Sequence, residues 1–303
     1  MSSVQAPPIP RHFLRVADLD HDGIAATLNL AASMKARPHG FVDALRGDTV
    51  VCFFEKPSTR TRVSFAAAAE RLGMLPLVLR PDELQLGRGE TVADTARTLS
   101  GYAAAIVVRT FAHATIEEIA QYATVPVINA LTDDHHPCQA LADLLTLFER
   151  FHRLDGLKVA FVGDGNNVAA SLAEAGQLTG VEVVIAAPPG YESRIQGARV
   201  VTDPLEAVEG AHAVYTDVWV SMGEEAEREA RLHELAAYQV DERLLQYARP
   251  DAVFMHCLPA HRGEEVTAGV IDGPQSVVWQ QAENRMPTEE ALLLTLVARR
   301  WEI

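Results

Sequence analysis

Short runs rich in Val and Ile alternate with helix-period segments along the whole chain, and this alternation restricts the fold more than any other feature. Strands that read as continuous apolar runs are covered on both faces. Helical crossovers between them make the sheet parallel. The runs fall at 48–54, 75–79, 104–109 and 125–129 in the first half, and at 158–163, 181–187, 213–216, 252–256 and 276–279 in the second. Between the halves, residues 136–151 place Ala140, Leu141, Leu144, Leu145, Phe148 and Phe151 on one helical face, long enough to link two sheets. The expected fold class is therefore α/β, with two domains, each a parallel sheet flanked by helices. Residues 1–150 form the first domain and 151–287 the second, and a last helix over 288–303 folds back on the first. At 303 residues and 48% hydrophobic composition, each domain can bury its own core. One link is short: after the strand ending near Ala187, only Pro188–Gly197 precedes a β-like run at 198–202, so that run is either an edge strand reached by a plain loop or no strand.

A formal net charge of −15, with no basic run interleaved with aromatics, argues against nucleic acid and anionic membrane surfaces as partners. No window approaches the ~18 apolar residues of a membrane span, and the proline-containing start has no apolar leader core, which implies a cytoplasmic chain. Cys52, Cys138 and Cys257 are widely spaced and form no C-x-x-C pair. They are expected as free thiols, without a disulfide framework or a structural metal.

In an open parallel sheet a ligand lies beyond the carboxyl ends of the strands. In the first half those ends carry Ser58-Thr59-Arg60-Thr61-Arg62, then Gln85 and Arg88, then Arg109 and Thr110, then His136-Pro137-Cys138-Gln139. Hydroxyls, guanidinium groups and a helix start suit a phosphate. In the second half the ends carry Asp164, Asn166 and Asn167, then Asp217, Ser221 and Met222, then His256-Cys257-Leu258-Pro259. Carboxylate, amide and hydroxyl groups together suit a ligand with an ammonium and a carboxylate, such as an amino acid. Gly163-Asp164-Gly165 is not a dinucleotide fingerprint, because Val168 replaces the third glycine and the next strand ends without an acidic residue.

Five segments in order carry a resemblance: Ser58–Arg62, His136–Gln139, Asp217-Val218-Trp219 leading to Ser221-Met222-Gly223, His256–Pro259, and Glu283-Asn284-Arg285. On these the chain resembles the aspartate/ornithine carbamoyltransferase family, on its ornithine-using side. The resemblance implies that Ser58, Thr59, Arg60, Thr61, Arg109, His136 and Gln139 bind carbamoyl phosphate, with Arg285 arriving from the second domain. It implies homotrimers with sites at subunit interfaces, Gln85 being the residue a neighbour contributes. Asn167, Asp217, Ser221 and Met222 would hold L-ornithine, and Cys257 and Leu258 would line the reaction centre. The link after Pro189 is shorter than the family's usual one. Cys257, Arg109, His136 and Arg285 are the expected catalytic set, with Cys257 a thiolate in positive surroundings and no metal or cofactor required. The implied reaction gives citrulline for arginine biosynthesis. The alternatives are a carbamoyltransferase acting on putrescine or a modified ornithine, and a non-catalytic binding protein.

Overall fold

A computed structural model describes residues 6–86, 89–192, 197–221, 223 and 225–301. The chain divides into two compact units, Met1–Leu141 with Asn284–Ile303, and Ala142–Glu283.

The first unit holds four parallel strands, β1 (Thr49–Phe54), β2 (Leu75–Leu79), β3 (Ala105–Arg109) and β4 (Val127–Leu131), in the order β2-β1-β3-β4. Helices α1 (His21–Ala36), α2 (Thr59–Arg71), α3 (Val92–Ser100) and α4 (His113–Tyr122) belong to it. Strand β3 is buried along its length, as the unbroken apolar run requires, whereas the edge strand β2 leaves Leu75 and Leu77 exposed. Helix α5 (Pro137–Phe151) begins in this unit and runs into the second. Proline at its first position supplies a helical φ where no N–H is needed.

The second unit holds β5 (Lys158–Val162), β6 (Glu182–Ala186), β7 (Arg199–Val201), β8 (Ala213–Thr216) and β9 (Val253–His256), all parallel, in the order β7-β6-β5-β8-β9. Its helices are α6 (Asn167–Thr179), α7 (Pro204–Val208), α8 (Arg228–Leu235), α9 (Glu242–Leu245) and α10 (Ala268–Ile271). The run at 198–202 is therefore an edge strand, β7, paired with β6. Helix α6 starts on Asn166, whose Oδ1 accepts from the Val168 and Ala169 N–H groups, and ends on Gly180 at φ 76°.

Two expectations are corrected. Residues 276–279 are not a strand: Ser276 makes one isolated bridge to Phe254, and helix α11 (Val278–Ala298) starts at once. Short apolar runs do not separate strand from buried helix by periodicity. The last helix consequently begins ten residues before 288 and carries Pro287 in its interior, where a sequence reading places a break. Its portion from Asn284 onward packs within the first unit.

Both sheets reverse winding direction at one place, between β1 and β3 in the first and between β5 and β8 in the second. Such switch points open a crevice at the strands' carboxyl ends.

Candidate functional site

In the first unit, the chain leaving β1 reaches Ser58 in an extended conformation, and its Oγ accepts from the Thr61 N–H at 3.3 Å. This cap starts α2 and leaves its remaining first-turn N–H groups and dipole available to an anion. Thr59 and Arg60 are exposed at that end, and Thr61 is buried. Across the switch point, the ladder between β3 and β4 slips: Val108 faces Asn129 while Arg109 faces Leu131. A bulge of this kind re-aims the side chain it carries, here the buried Arg109.

His136 immediately precedes α5, and its carbonyl accepts from the Gln139 and Ala140 N–H groups. The Cys138 thiol donates to the Asn129 carbonyl at 3.3 Å, tying the start of α5 to β4. Arg285 on α11 is buried, and donates from Nη1 to Gln139 Oε1 at 2.9 Å and from Nη2 to Thr61 Oγ1 at 3.3 Å. The His136 imidazole is held well below its ordinary range, first by burial and then by Arg285, Arg109 and Arg60. Three arginines thus surround a neutral imidazole. Such a cluster is suited to a small, multiply charged anion whose neutral part meets an N–H donor.

Gln85 is exposed in the loop after β2. Lys56 escaped the sequence reading: it is buried just after β1, pairs with Asp133, and lies 4.3 Å from the centre of the Phe111 ring. Its neighbour Glu55 accepts a hydrogen bond from Thr110. Nothing in the local sequence marks that lysine as buried.

In the second unit, Gly163 leaves β5 at φ 125°, and a Cβ there would come within 3.2 Å of Trp219 Nε1. This turn delivers Asn166, whose Nδ2 donates to Asp217 Oδ2 at 2.8 Å beyond β8. The other carboxylate oxygen, Asp217 Oδ1, accepts from Cys257 Sγ at 2.8 Å. Amide, carboxylate and sulfur are therefore joined in one line across the ends of β5, β8 and β9. Cys257 sits in the second unit beside this acid.

Leu258 follows at φ 59°, a left-handed conformation that costs a bulky residue about 1–3 kcal/mol. His256 supports it: Nδ1 accepts from the Leu258 N–H at 2.8 Å, which leaves Nε2–H to donate to the buried Glu265 at 3.2 Å. Asn167 and Ser221 are half-buried at the starts of α6 and of the loop after Trp219. Met222 lies outside the described residues.

Arg231 was also missed by the sequence reading. It is buried, pairs with Asp164, donates from Nε to the Trp219 carbonyl at 2.6 Å, and lies 5.0 Å from the centre of the Tyr191 ring. It fixes the loops on both sides of Asp217. A lone arginine on α8 gives no such signal in the sequence.

Comparison with known proteins matches both halves. Residues 11–149 match the family model described as aspartate/ornithine carbamoyltransferase, carbamoyl-P binding domain, and residues 155–296 match its Asp/Orn binding domain. The chain belongs to the aspartate/ornithine carbamoyltransferase family. This family member is 50% identical to an ornithine carbamoyltransferase of Anoxybacillus flavithermus, over 95% of this chain and 96% of that one. Its fold is similar to the ornithine carbamoyltransferase of Pyrococcus furiosus, with a TM-score of 0.90 at 46% identity, covering 96% of this chain and 98% of that one. The Thermus thermophilus ornithine carbamoyltransferase gives 0.89 at 44% identity, covering 95% and 99%. Within this carbamoyltransferase, Ser58–Thr61, Arg109, His136 and Gln139 lie in the stretch matched to the carbamoyl-P binding domain. Asn167, Asp217, Ser221, Cys257 and Arg285 lie in the stretch matched to the Asp/Orn binding domain.

Proposed function

We propose that the chain transfers the carbamoyl group of carbamoyl phosphate to the δ-amine of L-ornithine, giving L-citrulline and phosphate. The observation that carries this reading is the convergence of Arg60, Arg109 and Arg285 on a neutral His136. Family membership supports it, as do relatives that are ornithine carbamoyltransferases at about half identity over nearly the full chain.

Carbamoyl phosphate is held by Ser58, Thr59, Arg60, Thr61, Arg109, Gln139 and Arg285. The guanidinium groups stabilise charge as it grows on the departing phosphate. His136 donates an N–H to the carbonyl oxygen, which gains negative charge as the amine adds. A neutral imidazole does this without needing to be reprotonated in each cycle. The amine's nitrogen forms the new C–N bond, the C–O bond to phosphate breaks, and one proton passes from the nitrogen to the departing phosphate.

An alkyl amine with a pKa near ~10 is mostly protonated at neutral pH, so nearby arginines also favour its reactive neutral form. Asn167, Asp217, Ser221 and Met222 hold the amino acid, and Cys257 and Leu258 line the reaction centre. Asp217 is pre-oriented for an ammonium by Asn166 and Cys257.

The molecule acts as a homotrimer in which Gln85 of a neighbouring subunit completes each site. Exposed Val63 on α2 and exposed Leu75 and Leu77 on β2 supply apolar surface for such an interface. The cytoplasm is its compartment and arginine biosynthesis its use, in keeping with three free cysteines.

A citrulline assay with a panel of amines tests the reading. Ornithine is expected as the preferred acceptor, and Arg60→Ala should abolish turnover and carbamoyl phosphate binding. Normal citrulline synthesis by Arg60→Ala would overturn the phosphate assignment.

A further inference from the structure

Glu289 lies one helical turn after Arg285 on α11, fully buried. Its Oε1 accepts from Arg285 Nε at 3.1 Å and from Nη2 at 2.7 Å. With Gln139 on α5 and Thr61 on α2 taking the rest of the guanidinium, three helices hold one planar group. Arginine has many rotamers, and of these contacts only the one to Glu289 pairs opposite charges. A buried carboxylate is costly unless such a partner is present.

We propose that Glu289 is a positioning residue for the transfer, one that aims Arg285 at the phosphate of the donor and relaxes that aim when it takes up a proton. This inference rests on the reading that Arg285 binds carbamoyl phosphate. Burial raises the Glu289 carboxyl to about 7, against the lowering effects of Arg285 and the Ser64 hydroxyl.

The groups that face Glu289 are Arg285 on its own helix, Cys52 on β1, Cys138 on α5 and Ser64 on α2. Both thiols are pushed up, Cys52 to about 12, so they stay neutral in the same range. The arginine keeps its charge throughout. Among these groups Glu289 alone changes charge near pH 7. Above that pH the ionised carboxylate forms a two-bond ion pair with Arg285; below it the cation meets a neutral acid and the hold weakens. The next residue, Glu290, faces Arg71 instead and serves as a control.

The test is the carbamoyl phosphate KM between pH 6 and 8 at saturating ornithine, for the wild type, Glu289→Gln, Glu290→Gln and Arg285→Ala. In the wild type, KM should rise about fivefold from pH 8 to pH 6, the size expected for weakening one charge-assisted bond. Glu289→Gln should show the raised, acid-limb KM at every pH, and Glu290→Gln should follow the wild type. A wild-type KM that is flat across this range overturns the proposal without recourse to any variant. So does a Glu289→Gln profile that parallels the wild type. If Arg285→Ala leaves KM unchanged, the phosphate role of Arg285 fails as well. If Arg285→Ala loses binding while Glu289→Gln behaves as wild type, only the positioning role fails.

Discussion

Asn166 and Asp217 are bonded across the switch point of the second sheet, Nδ2 to Oδ2 at 2.8 Å, while the same asparagine caps α6 with its carbonyl oxygen. One side chain thus starts a helix and orients the carboxylate assigned to the amino acid. Asn166→Ser should keep the cap at a cost of a few tenths of a kcal/mol and lose the bridge. Ornithine KM should rise about tenfold, with carbamoyl phosphate KM unchanged, in steady-state kinetics with each substrate varied in turn. An unchanged ornithine KM would show that the bridge does not orient Asp217 for substrate.

His136 is buried among three guanidinium groups, so its pKa lies well below 6.5 and the ring is neutral at pH 7. Its NMR signals should not titrate between pH 6 and 8. A depressed histidine takes up its proton more readily when unfolded, so its contribution to stability is present above pH 6.5 and falls as pH drops below it. His136→Ala should lower kcat about 10²- to 10³-fold, the usual cost of losing a donor to a developing oxyanion.

Glu290 is buried with neither carboxylate oxygen hydrogen-bonded among the described residues, and burial raises it to about 7. An acid raised in the folded state binds its proton more tightly there than in the unfolded chain. Its ionisation therefore opposes folding above pH 7, and this penalty vanishes below about pH 4.5. Glu290→Gln should stabilise the protein by on the order of 2–3 kcal/mol at pH 8. Urea unfolding at pH 8 and pH 4.5 checks it, with the gain confined to pH 8.

Gly163 turns at φ 125° with Trp219 Nε1 within 3.2 Å of where a Cβ would stand. Gly163→Ala should destabilise the protein by about 1–3 kcal/mol, read from a lowered Tm. A Tm within a degree of the wild type would mean that the turn relaxes freely.

Much of this architecture was legible because parallel strands are long apolar runs and their ends carry the polar groups. Ser58, Asn166, Asp217 and Cys257 could be picked from the residues following each run. The start of α11 could not, because Val277 and Val278 read equally as strand and helix, and Pro287 reads as a stop. The partner of the Cys257 sulfur was not legible either. Its sulfur meets Asp217, 40 positions earlier in the chain, on the end of a different strand.

Alternating period, helix caps and turn glycines are local properties, so the amino-acid sequence by itself determined two parallel sheets and the loops that bear the chemistry. Which charges share a low-dielectric space is a property of distant residues brought together. Only the tertiary structure paired Arg285 with Glu289, buried Lys56 and Arg231, and set a neutral histidine among three arginines. The physical reason is that burial and proximity, rather than residue type, fix the protonation and direction of an ionisable group.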